Sequence, residues 1–255
     1  MLQFGAAYVM IAPEVITMIF FLIRHGDPIY RPDSLTELGH KQAAALVDRF
    51  VKFGLDEIYC STSIRAQMTA QPTAEALGME IKLCPWAHEN LVLDDMCVYN
   101  DEGKRLWAFG QQYIKEQFNR PDVLALGEKW YTHPLFAETR FAAGEERIDR
   151  EVDAFFLELG FRHDRENNYF EKVGETKERV ALFAHQGFGL SFLSSVLDIP
   201  YPLVATRLNL SHSSVTVIHF DENQPKIFPR MLQLANDSHL YHHDLLTGYN
   251  NTLLF

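Results

Sequence analysis

Ile19-Phe20-Phe21-Leu22-Ile23-Arg24-His25-Gly26 is the stretch on which the fold turns. An unbroken apolar run of this length, rich in β-branched and aromatic side chains, reads as a strand buried on both faces of a mostly parallel sheet. In open α/β sheets, ligands sit beyond the carboxyl ends of the strands. Arg24 and His25 follow the run at once, so they are predicted at a ligand site. Met18 immediately precedes the strand and is predicted to open the domain, with residues 1–17 as an N-terminal extension.

Outward from this strand, the loop Gly26 to Asp33 holds Pro28 and Pro32, and Ser34-x-x-Glu37 reads as a capping box. Leu38, Ala45, Leu46, Phe50 and Phe53 recur at helical spacing until Gly54 stops the helix. Glu57 to Cys60 reads as a second strand, Ser63 to Leu77 as a helix kinked at Pro72 and ended by Gly78, and Glu80 to Cys84 as a third strand. This is the βαβαβ start of an open α/β sheet. From Glu89 to about Gly174 the alternation breaks. The block shows no strong strand, and Arg105 to Phe118 and Glu145 to Leu159 have helical spacing, so it is predicted to be a helical cap insertion. Strands are expected again at Arg179 to Ala184, Val215 to Phe220 and Lys226 to Leu234, with a helix at Phe188 to Leu197. Residues 241–255 carry no clear period and read as a C-terminal tail.

The chain has 255 residues, 47% of them hydrophobic and 22% charged, with a formal net charge of -11. That balance argues against nucleic acid as a partner, and a phosphorylated small molecule needs a local cluster of cations. Residues 1–17 contain no Lys or Arg and are interrupted by Pro13 and Glu14, which argues against a signal peptide and a membrane span. Cys60, Cys84 and Cys97 fit no zinc pattern and read as reduced cytoplasmic thiols.

Strand ends supply the cations. Arg24 and His25 follow the first strand, Ser61 to Arg65 the second, and His185 follows Ala184, with Gln186-Gly187 opening a helix. Arginine forks match phosphate oxygens, and helix N-termini present free N–H groups and partial positive charge to an anion. An imidazole attacking such a phosphate needs cations on the phosphoryl oxygens and an acid for the leaving oxygen. The roles follow. His25 is the nucleophile. Arg24, Arg65 and His185 bind and stabilise the phosphoryl group, helped by the backbone N–H of Gln186 or Gly187. Glu89, in Trp86-Ala87-His88-Glu89-Asn90, is the acid, with Asp94 and Asp95 as substitutes. A first-turn arginine opposes the helix dipole, so Arg65 also argues for an anion beside it.

Several runs resemble the histidine phosphatase, or phosphoglycerate mutase-like, superfamily. Leu22-Ile23-Arg24-His25-Gly26 looks like its signature, and Leu35-Thr36-Glu37-Leu38-Gly39-His40-Lys41-Gln42-Ala43 is similar to its first helix start. Ser61 to Ala70 resembles its second arginine motif, Phe183-Ala184-His185-Gln186-Gly187 its second histidine motif, and Asn209 to Ile218 and Asn236 to Leu240 its late segments. The resemblance spans roughly residues 18–240. It implies a three-layer α/β/α sandwich, a covalent phosphohistidine intermediate, and no metal or organic cofactor. Asp27-Pro28-Ile29-Tyr30 departs from the mutase branch, so hydrolysis of a small phosphomonoester is the expected activity. A mutase or a non-catalytic phospholigand-binding protein is the alternative.

Other side chains read more plainly. His212, His239, His242 and His243 match no metal-ligand spacing. The aromatics Trp86, Trp107, Phe109, Tyr113, Trp130 and Tyr131 are expected mostly in the cap core, one or two lining the substrate pocket. Arg140, Arg147 and Arg150 are candidates for a second anionic group of the substrate, against a solvated helix face.

Overall fold

The computed structural model describes residues 17–249 and 253–254. The N-terminal extension predicted for residues 1–17 lies outside them, except for Thr17, which already belongs to the first strand.

In chain order, β1 (Thr17–Arg24) leads into a small hairpin, β2 (Pro28–Tyr30) and β3 (Asp33–Leu35), and then into α1 (Glu37–Phe53). β4 (Glu57–Ser61), α2 (Ile64–Leu77) and β5 (Ile81–Cys84) follow. Next come α3 (Glu89–Asp95), the hairpin β6 (Cys97–Tyr99) and β7 (Arg105–Trp107), then α4 (Gln112–Phe118), α5 (Pro121–Leu124) and α6 (Phe141–Glu158). A second hairpin, β8 (Phe161–Asp164) and β9 (Tyr169–Lys172), precedes β10 (Arg179–Ala184), α7 (Gln186–Leu197) and α8 (Tyr201–Arg207). β11 (Val215–Asp221), β12 (Arg230–Asn236) and α9 (Ser238–His242) follow.

The central sheet has the order β12-β11-β1-β10-β4-β5. β1, β10, β4 and β5 run parallel, whereas β11 and β12 are antiparallel to their neighbours. β1 is buried on both faces, as its apolar run requires. Met18, Phe20 and Leu22 enter one core with Val180, Leu182, α6, α7 and α8. Phe21 and Ile23 enter the other with Ala181, Phe183, α1 and α2. The alternation along β1 and β10 therefore separates the two helical layers of an α/β/α sandwich. Among the described residues, no helix is long and apolar enough to cross a membrane.

Two local readings are corrected. The cap of α1 is Thr36, whose side chain accepts from the Gly39 N–H. Ser34 is paired with Ile29 in the β2–β3 hairpin instead. On α1, Ala45, Leu46 and Phe50 are buried, but Leu38 and Phe53 are exposed, because they stand at the rim of the buried stripe. α2 runs through Pro72 and ends at Gly78, as its sequence reads.

The block after Glu89 also contains strands. Arg105–Trp107, expected to start a helix, pairs with Cys97–Tyr99 across a turn in which Gly103 has φ +72° and donates to Asn100. Helical spacing hid this pairing, since a strand this short shows too little alternation to be read. The block is not all cap either. Phe155 and Phe156 of α6 pack on Phe20 of β1 with ring centroids 6.0 and 5.5 Å apart, so α6 forms part of a sandwich layer.

Candidate active site

β1 and β10 end side by side, with Arg24 paired to Ala184. The His25 N–H donates to the Ala184 carbonyl at 3.0 Å, and the His25 carbonyl accepts from Ser213 at 3.0 Å. This loop is held closely. Gly26 N–H donates to Thr69 Oγ1 at 2.9 Å, and Asp27 N–H donates to Gln42 Oε1 at 2.7 Å. Gly26 and α1 meet back to back: a Cβ on Gly39 comes 2.2 Å from the Asp27 carbonyl oxygen, and one on Gly26 2.7 Å from that of Gly39. Only glycine admits this approach.

His25 is buried at 3% exposure. Its Nδ1 lies 2.7 Å from the Gly26 carbonyl. A carbonyl only accepts, so Nδ1 carries the proton and Nε2 keeps its lone pair. Burial holds the ring well below the usual imidazole range, with His185, Arg24 and Arg65 adding to the effect, and so it stays neutral.

Two arginines flank it. Arg24 donates to the Leu210 carbonyl at 2.5 Å and through Nη2 to His212 Nε2 at 2.8 Å. Arg65 donates to Asp33 Oδ1 at 2.8 Å and to His185 Nδ1 at 3.1 Å. The same Asp33 carboxylate accepts the Ile64 N–H at 2.8 Å, at the start of α2. The anion inferred beside Arg65 thus has a protein counterpart, a carboxylate that offsets an arginine in the first helical turn.

His185 is fully buried, and both its nitrogens are engaged, Nδ1 with Arg65 and Nε2 with Ser61 Oγ at 2.8 Å. Burial, reinforced by Arg65, keeps this ring neutral too. The Glu89 carboxylate accepts the N–H groups of Gly187 at 2.9 Å and Phe188 at 2.8 Å. The Gly187 N–H, expected to face a phosphate, is therefore directed at Glu89. Burial raises the Glu89 carboxyl, while the Phe188 and Gly187 amides and the charges of Arg65 and Arg24 pull it down. The Gln186 side chain donates to Asn209 at 2.5 Å.

These groups meet at a cavity of about 950 Å³. Arg24, His25, Arg65, Glu89, Gln186 and Gly187 line it, and His185 stands behind Arg65. Trp107 and Phe109, 5.1 Å apart between ring centroids, form an aromatic wall, whereas Trp130 is buried in the core. Asp94 and Asp95 are occupied elsewhere: Asp94 pairs with Arg105, and Asp95 accepts from Arg140 at 3.0 Å and Arg147 at 2.7 Å. Arg150 pairs with Glu151 at 3.2 Å. Arg140, Arg147 and Arg150 therefore serve ion pairs and do not line the cavity, whereas Arg105 does.

Sequence reasoning missed His212, Asp33 and Tyr30. His212 lines the cavity and is 2% exposed. Its Nδ1 is 3.4 Å from Asp27, and burial with Arg24 lowers its pKa to about 3. Only its place in the Asn209 to Ile218 segment hinted at it. Tyr30 and Asp33 reach the cavity from the β2–β3 hairpin, with Arg65 over the Tyr30 ring at 5.5 Å.

Residues 20–118 match the model of the histidine phosphatase superfamily (branch 1), which bears out the resemblance read from the sequence. Among solved structures, the chain is similar to a mycobacterial glucosyl-3-phosphoglycerate phosphatase at 18% identity and a TM-score of 0.54, covering 86% of this chain and 99% of that one. It is similar to a phosphoserine phosphatase from Entamoeba histolytica in complex with 3-phosphoglyceric acid, at 19% identity, TM-score 0.53, covering 88% and 99%. A third similar structure is a putative alpha-ribazole-5'-P phosphatase from Escherichia coli, at 17% identity, TM-score 0.54, covering 86% and 97%. At these identities the likeness carries the fold. No curated protein sequence matches the chain.

Proposed function

We propose that the chain is a phosphatase that hydrolyses a small phosphomonoester through a phosphohistidine on His25. The observation that carries this reading is the state of the His25 ring. Its proton is tied to the Gly26 carbonyl at 2.7 Å, its other nitrogen is left nucleophilic, and its burial beside Arg24 and Arg65 keeps it neutral. Nε2 attacks phosphorus, the P–N bond forms, and the bond to the leaving oxygen breaks. Arg24 and Arg65 stabilise the phosphoryl oxygens. His185 holds Arg65 in place, and His212 holds Arg24.

Glu89, with its raised pKa, protonates the leaving alkoxide. It then takes a proton from the water that attacks phosphohistidine, releasing phosphate and free His25. No step calls for a metal or organic cofactor. The wide cavity and the Trp107–Phe109 wall leave room for the leaving group. The three cysteines are buried and form no disulfide, which fits a cytoplasmic setting.

The test is turnover of an aryl phosphate, with His25→Ala and Glu89→Ala alongside. Hydrolysis by the unmodified protein and none by His25→Ala is expected, with an acid-labile, base-stable phosphoryl adduct trapped on quenching. Equal activity in His25→Ala removes the mechanism. Transfer of the phosphoryl group to a second hydroxyl rather than water shows a mutase instead.

A further inference from the structure

We propose a second binding site, for an organic cation bearing an ammonium or guanidinium group, in the cavity where Glu145 meets Glu128, Asp149 and Asp198. This cavity, of about 290 Å³, lies between α6, the end of α7 and the 127–132 turn, and shares no lining residue with the catalytic one. Glu145 lines it at 7% exposure; the Trp130 indole N–H lies against its carboxyl, but Oε1 is buried with no donor in hydrogen-bond geometry. Glu128 Oε1 and Asp198 Oδ1, on two other elements lining the same cavity, are also buried without partners. Buried acceptors in folded proteins are satisfied as a rule, so three unsatisfied ones around one cavity call for a donor.

The protein's own cations are already committed. Arg165 is spread over Asp153 at 2.7 and 2.8 Å, Asp149 at 3.0 Å and Ser195 Oγ at 2.9 Å. His163 lies between Asp153 and Asp198, 3.1 Å from each. Lys129, at the rim, donates to Tyr131 at 3.1 Å. Arg165 and His163 thus stand among the carboxylates of Glu128, Asp149, Asp153 and Asp198. Arg165 also acts on Glu145, Tyr201 lies beside Glu145, and with exposed Glu166 in the lining the site stays acidic. Among the described residues, no three such groups converge as metal ligands do. A cation with several N–H donors reaches acceptors that are too dispersed for a metal ion.

Glu145 adds a signature. Burial, then Asp149, with Glu128 adding and Arg165 and Trp130 opposing, holds its carboxyl up to about 8. At pH 7 it carries a proton, which a cation beside Oε1 displaces into solution.

The experiment is calorimetric titration of the full chain with n-butylguanidinium, charged at every pH used, in two buffers of different ionisation enthalpy. Saturable binding that releases close to one proton at pH 7 is expected, tightening roughly tenfold by pH 9 as Glu145 ionises unaided. Glu145→Gln should abolish the proton release and the pH dependence and weaken binding, whereas the exposed Glu80→Gln should change neither. Should Glu145→Gln fail to fold, Glu128→Gln serves by its loss of affinity. No saturable binding, or unaltered binding and proton release in these cavity variants, overturns the site. Preference for Mg²⁺ or Ca²⁺ with the same proton release overturns the organic cation.

Discussion

His212 accepts a hydrogen bond from Arg24, with Nε2 of the ring 2.8 Å from Nη2 of the guanidinium. The ring stays neutral because burial and Arg24 lower its pKa to about 3, so a lone pair is always available to hold the arginine. Asp27, 3.4 Å from Nδ1, stands on its other side. A hydrogen bond to a charged group is worth about 1.5–3 kcal/mol. His212→Ala is therefore expected to lower kcat/KM by roughly 10- to 100-fold through a misplaced Arg24. Steady-state kinetics check this, and an unchanged kcat/KM rules out the positioning role.

Gly187 carries a second prediction. A Cβ there comes 2.3 Å from the Trp107 indole, while its N–H holds Glu89. Gly187→Ala should cost about 1–3 kcal/mol of stability, as overpacking does, and lower activity by shifting Glu89. Trp107→Ala relieves the clash, so the double variant should be more stable than the sum of the single effects implies. Denaturant melts of the four proteins in the cycle decide it; strict additivity rules out the contact.

The pH dependence of turnover follows from two opposite shifts. In the proposed mechanism His25 attacks as the neutral ring, and its lowered pKa keeps it neutral well below 6.5. Glu89 acts there from its protonated form, and its raised pKa keeps that form above the ordinary 4.5. Activity should survive into acid solution and fall as pH rises through the Glu89 value, more steeply for alkyl than for aryl phosphates, since a poor leaving group needs the proton more. Glu89→Gln should flatten that alkaline limb. A limb unchanged in Glu89→Gln assigns it to another group.

Folding stability has its own pH sign. His25, His185, His212 and His239 are neutral in the folded chain, chiefly because of burial, and the last two have pKa values lowered to about 3. In the unfolded chain they protonate near 6.5, so the unfolded state binds more protons below that pH. Stability should fall as pH drops from about 6.5 towards 3, by up to about 1.4 kcal/mol per pH unit for each ring. Urea melts across this range, with His239→Gln reducing the slope, test it; equal slopes contradict the assignment.

His163 behaves in the opposite way. Burial pulls its pKa down, but Asp153 and Asp198 outweigh it and the result is raised. Its stabilisation is complete below 6.5 and is lost as pH rises through the folded value. His163 bridges buried Asp198 and partly exposed Asp153, which Arg165 also holds, so His163→Ala should cost about 1–3 kcal/mol near neutral pH, measured by the same melts.

Neighbours along the chain settle one part of this molecule. The apolar run before Arg24 specified a central strand, Gly54 and Gly78 ended their helices, and the strand ends carried Arg24, His25, Arg65 and His185 to the carboxyl end of the sheet. Short-range pattern suffices there, because a strand's side-chain period and a helix cap are local properties. Tertiary structure alone decided the partners. Asp33 reaches Arg65 across 32 positions of chain, His212 reaches Arg24 across 188, and Glu89 reaches the amides of α7 across 98 and 99. Each of these contacts depends on which loops the sheet order brings together, and no local periodicity encodes that. Burial did the rest: it is a property of the packed core, and it is burial that leaves His25 neutral and raises the pKa of Glu89.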